Sequence, residues 1–203
     1  MRSEVSRRRL LALAAAAGAS TAALAPGAAR ALTTDEARAL IDRLVAEING
    51  VINSGGSESA MFAEFERIFT RYADVAIIAQ SALGPAARQA SPAQMQAFTA
   101  AFRTYISRKY GRRFREFIGG RIEVTGAEPV KSFFEVISTA YLRGEAPFEV
   151  RFQVSDRSGR DLFFNIIIEG VNMLASERAE IGALLDARGG DLNRLTADLP
   201  GLG

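Results

Sequence analysis

Residues 148–154 read Phe-Glu-Val-Arg-Phe-Gln-Val, and this run decides the class of fold. Phe148, Val150, Phe152 and Val154 alternate with Glu149, Arg151 and Gln153, so a strand here has one apolar face and one wet face. Arg143-Gly144-Glu145 before it and Asp156-Arg157-Ser158-Gly159 after it have the composition of hairpin turns. The two-residue period extends in both directions. Ile122 and Val124 alternate with Arg121, Glu123 and Thr125, so residues 121–169 predict a four-stranded antiparallel meander. Two of its strands are apolar on both faces. Residues 133–142 set Phe134, Val136, Ala140 and Leu142 against Phe133, Ile137 and Tyr141. Residues 162–168 set Leu162, Phe164, Ile166 and Ile168 against Phe163 and Ile167. Such strands are either covered on both faces or line a space.

Upstream of Gly119-Gly120 the period is helical. Thr33 and Glu36 form a capping box for a helix over about 34–53, whose apolar positions are Leu40, Ile41, Leu44, Val45, Ile48 and Ile52. Ser54-Gly55-Gly56-Ser57 interrupts it. A second helix follows over about 58–70, with Phe62, Phe65 and Phe69 on one side, and a third over about 73–83 stops at Gly84-Pro85. Ser91-Pro92-Ala93-Gln94 opens the longest helix, where Met95, Phe98, Phe102, Tyr105, Ile106, Tyr110, Phe114 and Phe117 form one stripe. After Glu169-Gly170 a helix resumes near Ser176 and runs to about Arg188, and a short one from Asp191 to Leu199 follows. The resulting fold class is α+β: a helical shell packed on a curved four-stranded antiparallel sheet. Aromatic stripes facing doubly apolar strands admit two arrangements, a filled core or an apolar cavity between the layers.

Composition narrows the function. The 203 residues include no His, no Cys and no Trp. That excludes imidazole relays, thiolate nucleophiles, disulfides and the usual zinc sites. No phosphate-cradling glycine loop or nucleophile-elbow motif occurs. Ser132 and Lys131 are sequence neighbours on a strand and so point apart. The chain therefore reads as a binding protein, with no metal and no catalytic cofactor.

The first 31 residues read as an export signal. Arg7-Arg8-Arg9 precede an apolar run from Leu10 to Leu24, and Ala29-Arg30-Ala31 fits a cleavage site. Ser6-Arg7-Arg8-Arg9-Leu10-Leu11 is compatible with either a twin-arginine or a general secretory signal. The leader takes five arginines and one glutamate with it, leaving 20 basic and 22 acidic residues in 32–203. A nucleic-acid partner loses its electrostatic support accordingly. One cationic segment persists, Arg108-Lys109-Tyr110-Gly111-Arg112-Arg113-Phe114-Arg115. It suits either an anionic head group or a solvated helix C-terminus.

Several stretches taken in order resemble the MlaC, or toluene-tolerance, family. They are Ala82-Leu83-Gly84, Ala90-Ser91-Pro92-Ala93-Gln94, Phe98 with Ala101-Phe102-Arg103, Tyr110, and Ile168-Glu169-Gly170-Val171-Asn172 followed by Arg178. The chain departs from the family pattern at Ala86-Ala87, at Asn165 where Asp is common, and at Glu177-Arg178 and Ile181 where Tyr-Arg and Phe are common. The resemblance implies a periplasmic, monomeric carrier with acyl chains inserted between helices and sheet. It also implies exchange of phospholipid with an inner-membrane ABC transporter complex and an outer-membrane lipoprotein complex. On that reading the expected lipid contacts on the long helix are Phe98, Phe102, Tyr105 and Ile106. On the sheet and beyond they are Val136, Ile137, Tyr141, Phe152, Phe164, Ile166, Val171 and Met173. Arg108, Arg112 and Arg178 are the expected head-group or partner contacts. The alternatives are a ligand-free interaction module and a carrier of another lipid, such as a hopanoid.

Overall fold

The structure, a computed structural model, describes residues 31–113 and 117–203. Apart from Ala31, the leader expected at 1–31 lies outside the described residues, as does Phe114 of the expected stripe.

Helix α1 (Thr34–Ile52) starts at the expected capping box: the Thr33 side chain accepts from the Glu36 backbone N–H, and Glu36 reaches back to the Thr33 N–H. Its apolar stripe is buried. Asn49 fixes α1 to the sheet, donating to the Ile122 carbonyl and accepting from the Ile122 N–H, both at 3.0 Å. On this outer strand the free N–H and C=O of Ile122 are thereby satisfied by a helix. Helix α2 (Glu58–Tyr72) is capped by Ser57, and α3 (Val75–Leu83) by Asp74. Asp74 also donates its backbone N–H to the Phe163 carbonyl, tying the α2–α3 junction to the sheet. Gly84, at φ 65°, ends α3 in a conformation that L side chains resist, and a 3-10 turn over Gly84–Arg88 follows.

Helix α4 (Pro92–Arg113) opens with the Ser91/Gln94 box. Phe117 lies outside this helix, in the turn leading to the sheet. The sheet comprises β1 (Arg121–Val130), β2 (Phe133–Tyr141), β3 (Phe148–Ser155), β4 (Leu162–Ile168) and β5 (Val171–Asn172), paired antiparallel in sequence order. The four-stranded meander thus has a fifth, two-residue strand. Glu169 and Gly170 both have positive φ, 49° and 79°, which makes the tight reversal that returns Val171 and Asn172 to β4. Asn172 then caps α5 (Met173–Asp186), three residues earlier than the sequence suggests. Helix α6 (Leu192–Asp198) follows its Asp191 cap.

Two register shifts bend the sheet, one between Val124 and Gly126 and one opposite Gln153/Val154. The second corrects the face assignment in β4. Strict alternation groups Phe164 with Ile166 and Ile168. The irregularity instead pairs Phe163 with Val154 and Ile166 with Phe152, so Phe163 joins the inward set and meets the Phe69 and Phe152 rings. Phe164 meets Phe133 edge-on at 5.6 Å.

On the outward face of β2 and β4, Phe133, Ile137, Tyr141 and Ile167 are half-buried. Arg121 lies 4.0 Å over the Tyr141 ring. Arg151, directly opposite Ile137 and Ile167, is ion-paired with Glu149, Glu135 and Glu128. Long arginine stems shield apolar surface while their heads stay wet.

Candidate functional site

Between the inward sheet face and the helices lies a cavity of about 470 Å³. Leu44 and Ile48 of α1, Phe65, Ile68 and Phe69 of α2, and Ile78 of α3 form its helical wall. Ile122, Val150, Phe152, Phe163, Ile166 and Ile168 form the sheet wall. Ile106 and Tyr110 of α4, with Met173, Leu174 and Glu177 of α5, close one side. Glu145, Glu169 and Val171 are exposed lining residues and mark the mouth, with Phe117, Leu142 and Phe148 beside them. Val171 is 55% exposed, and Ile118, next to Phe117, is 48% exposed.

Six of the expected lipid contacts lie on this wall: Ile106, Phe152, Phe164, Ile166, Val171 and Met173. Phe98, Phe102 and Tyr105 are instead fully buried among helices, their rings packed in succession at 5.8 and 6.2 Å. Helical geometry explains the division. At about 100° per residue, Phe98, Phe102 and Tyr105 fall within about 60° of one another, while Ile106 and Tyr110 lie about 40–80° further round from Phe102. One stripe therefore serves two surfaces. Val136 is fully buried opposite Phe152 as packed core. Ile137 and Tyr141 occupy the outward face of β2 and do not reach the cavity.

The three arginines expected at the head group are not lining residues either. Arg108 donates to the Pro200 carbonyl at 2.6 Å, and Arg112 is exposed on α4. Arg178 crosses α3's end so closely that a Cβ on Gly84 would lie 3.0 Å from its Nε. The Leu-Gly and the later Arg of the family pattern, distant in sequence, are thus one structural contact. Sequence reasoning does not single out the contributions of α1, α2, α3 and β1. Their stripes were visible, but nothing local distinguishes a side chain facing a void from one facing another side chain.

Polar groups in the wall are few and held. Asn165 is buried; its Oδ1 accepts from the Leu174 and Ile166 N–H groups, and its Nδ2 donates to Gln153. Glu177 is also buried, and its Oε1 accepts from Lys109 Nζ at 2.7 Å and from the Tyr110 hydroxyl. Lys109 also reaches Glu180, which accepts from the Tyr105 hydroxyl. Burial, reinforced by that bond to Glu180, pushes the Tyr105 phenol well above its ordinary range, so it stays a donor. Among the described residues no group of acidic side chains could hold a metal ion.

The model of the family described as MlaC protein matches residues 38–200. The chain belongs to the MlaC family. Its fold is also similar to that of a phospholipid-binding protein from Ralstonia solanacearum solved in complex with a phospholipid. That likeness has a TM-score of 0.69 at 20% identity and covers 82% of this chain and 96% of the other. Within this MlaC-family fold the cavity opens into the apolar interior, and no described helix is long and apolar enough to cross a membrane.

Proposed function

We propose that the chain is a phospholipid carrier that holds acyl carbons in the cavity between sheet and helices and performs no chemistry on them. The observation that carries this reading is the cavity itself. Ligand sites commonly measure roughly 300–1,000 Å³, and about 470 Å³ walled almost wholly by aliphatic and aromatic side chains falls in that range. A dry cavity of about 150 Å³ takes one benzene, so on the same scale this one takes roughly eighteen carbons, the length of one long acyl chain. Burying that many methylenes at about 0.8 kcal/mol each gains about 14 kcal/mol gross. Ordering costs reduce the total.

Such a gain is forfeited only when the tail passes directly into another apolar medium. Delivery therefore requires docking, and exposed Val171 at the mouth and Ile118 nearby offer apolar surface where the tail would leave. Family membership and the phospholipid held by the Ralstonia protein support the same cargo. With the leader read at residues 1–31, the carrier would work in the periplasm. There it would exchange lipid with an inner-membrane transporter complex and an outer-membrane lipoprotein complex.

Protein purified without detergent should yield near-stoichiometric phospholipid on organic extraction, identified by mass spectrometry. Repeated extraction of folded protein that yields only background lipid would overturn the reading.

A further inference from the structure

We infer that the cavity selects phospholipids whose head group carries an ammonium over those with a net negative head group. The inference rests on the carrier reading and concerns what the mouth adds to it. Among the described lining residues the charged side chains are all acidic: Glu145 in the β2–β3 loop, Glu169 in the β4–β5 turn, and Glu177 on α5. Glu145 and Glu169 are exposed at the mouth. Glu177 is only 4% exposed. One of its oxygens is held by Lys109 and Tyr110, while Oε2 is buried without a hydrogen-bond partner. A carboxylate oxygen withdrawn from water with no donor is unfavourable, and a donor brought by a ligand would relieve it.

None of the three arginines expected at a head group lines the cavity, and Arg112 is exposed on α4. Arg108 holds the Pro200 carbonyl, Arg178 lies across Gly84, and Lys109 sits over the Tyr105 and Tyr110 rings. The phosphate of any phospholipid brings a negative charge to this mouth. An ethanolamine ammonium offsets that charge and can donate to the glutamates. A glycerol head group leaves the charge uncompensated. At two solvated glutamates the resulting preference is about threefold to tenfold.

The test is competitive loading. The exported protein, stripped of lipid, is incubated with vesicles of equal phosphatidylethanolamine and phosphatidylglycerol, recovered, and its lipids are quantified by mass spectrometry. The expected result is phosphatidylethanolamine enriched about threefold to tenfold at low salt, declining toward parity at about 0.5 M salt, where screening is short-ranged. Glu145→Gln with Glu169→Gln, both at exposed positions, should bring the ratio toward one at low salt. Glu177→Gln, which keeps an acceptor for Tyr110, should lower it as well. Equal loading by the unaltered protein, or a ratio indifferent to salt and to every substitution, overturns this inference and leaves the carrier reading standing. Protein that takes up neither lipid overturns both.

Discussion

Emptying the cavity is the perturbation whose size the structure sets most directly. A closed apolar void lowers stability by roughly 24 cal/mol per Å³. Applied to about 470 Å³, that gives an upper limit of about 11 kcal/mol. The limit is comparable with the whole stability of an ordinary domain, about 5–15 kcal/mol. Because the mouth is open and the layers can settle toward each other, the realised cost is a fraction of the limit, about 4 kcal/mol if a third persists. A change of about 1 kcal/mol moves Tm by about 2–4 °C in a chain of this size. Lipid-stripped protein should therefore melt about 8–16 °C below the same protein reloaded from phospholipid vesicles. The assay is scanning calorimetry on both forms, with bound phosphorus measured on each. Equal melting temperatures for two forms that differ in lipid content would refute the reasoning, because the cavity would then contribute nothing as an occupied space.

Three further outcomes follow from particular contacts. Phe102→Ala should cost about 3–5 kcal/mol in chemical denaturation, as for any large core truncation, while Ile166→Asp should leave the fold in place and lower lipid recovered per folded molecule; unchanged lipid per folded Ile166→Asp molecule would mean that the sheet wall is misassigned. Asn165→Ala should destabilise by about 1–3 kcal/mol by stranding the Leu174 N–H, whereas Asn165→Asp keeps both accepted bonds and should cost less, as urea melts would read. The Tyr72 hydroxyl, and then the Arg67 and Arg71 guanidiniums, hold the Glu47 carboxylate below its usual range. Its folded pKa is depressed, so its stabilisation is complete above the ordinary carboxylate value and lost as pH falls through the depressed one. Tyr72→Phe should accordingly lose about 1 kcal/mol at neutral pH and little at about pH 2, and a penalty that stays constant across that range would show that Glu47 is not responsible.

Much of this protein follows from local rules that its sequence states openly. The capping boxes at Thr33 and Ser91 start helices where side chains can satisfy free N–H groups. The alternation over 148–154 fixes which face of β3 is buried, because successive strand side chains point oppositely. The family pattern is legible for the same reason, since its Gly84 and its turn at Glu169-Gly170 answer to backbone conformation. Other features required the third dimension. The irregularity opposite Gln153/Val154 redirects Phe163 and Phe164, and no residue there announces it, whereas Gly126 at least marks the one in β1. Periodicity reports that a side chain avoids water; it carries no information on whether the space ahead is filled. That Phe102 meets protein while Ile106 meets a void depends on how α4 is rotated against α2, α3 and α6. Only the packed layers decide that rotation, because it is set by contacts between segments remote in sequence.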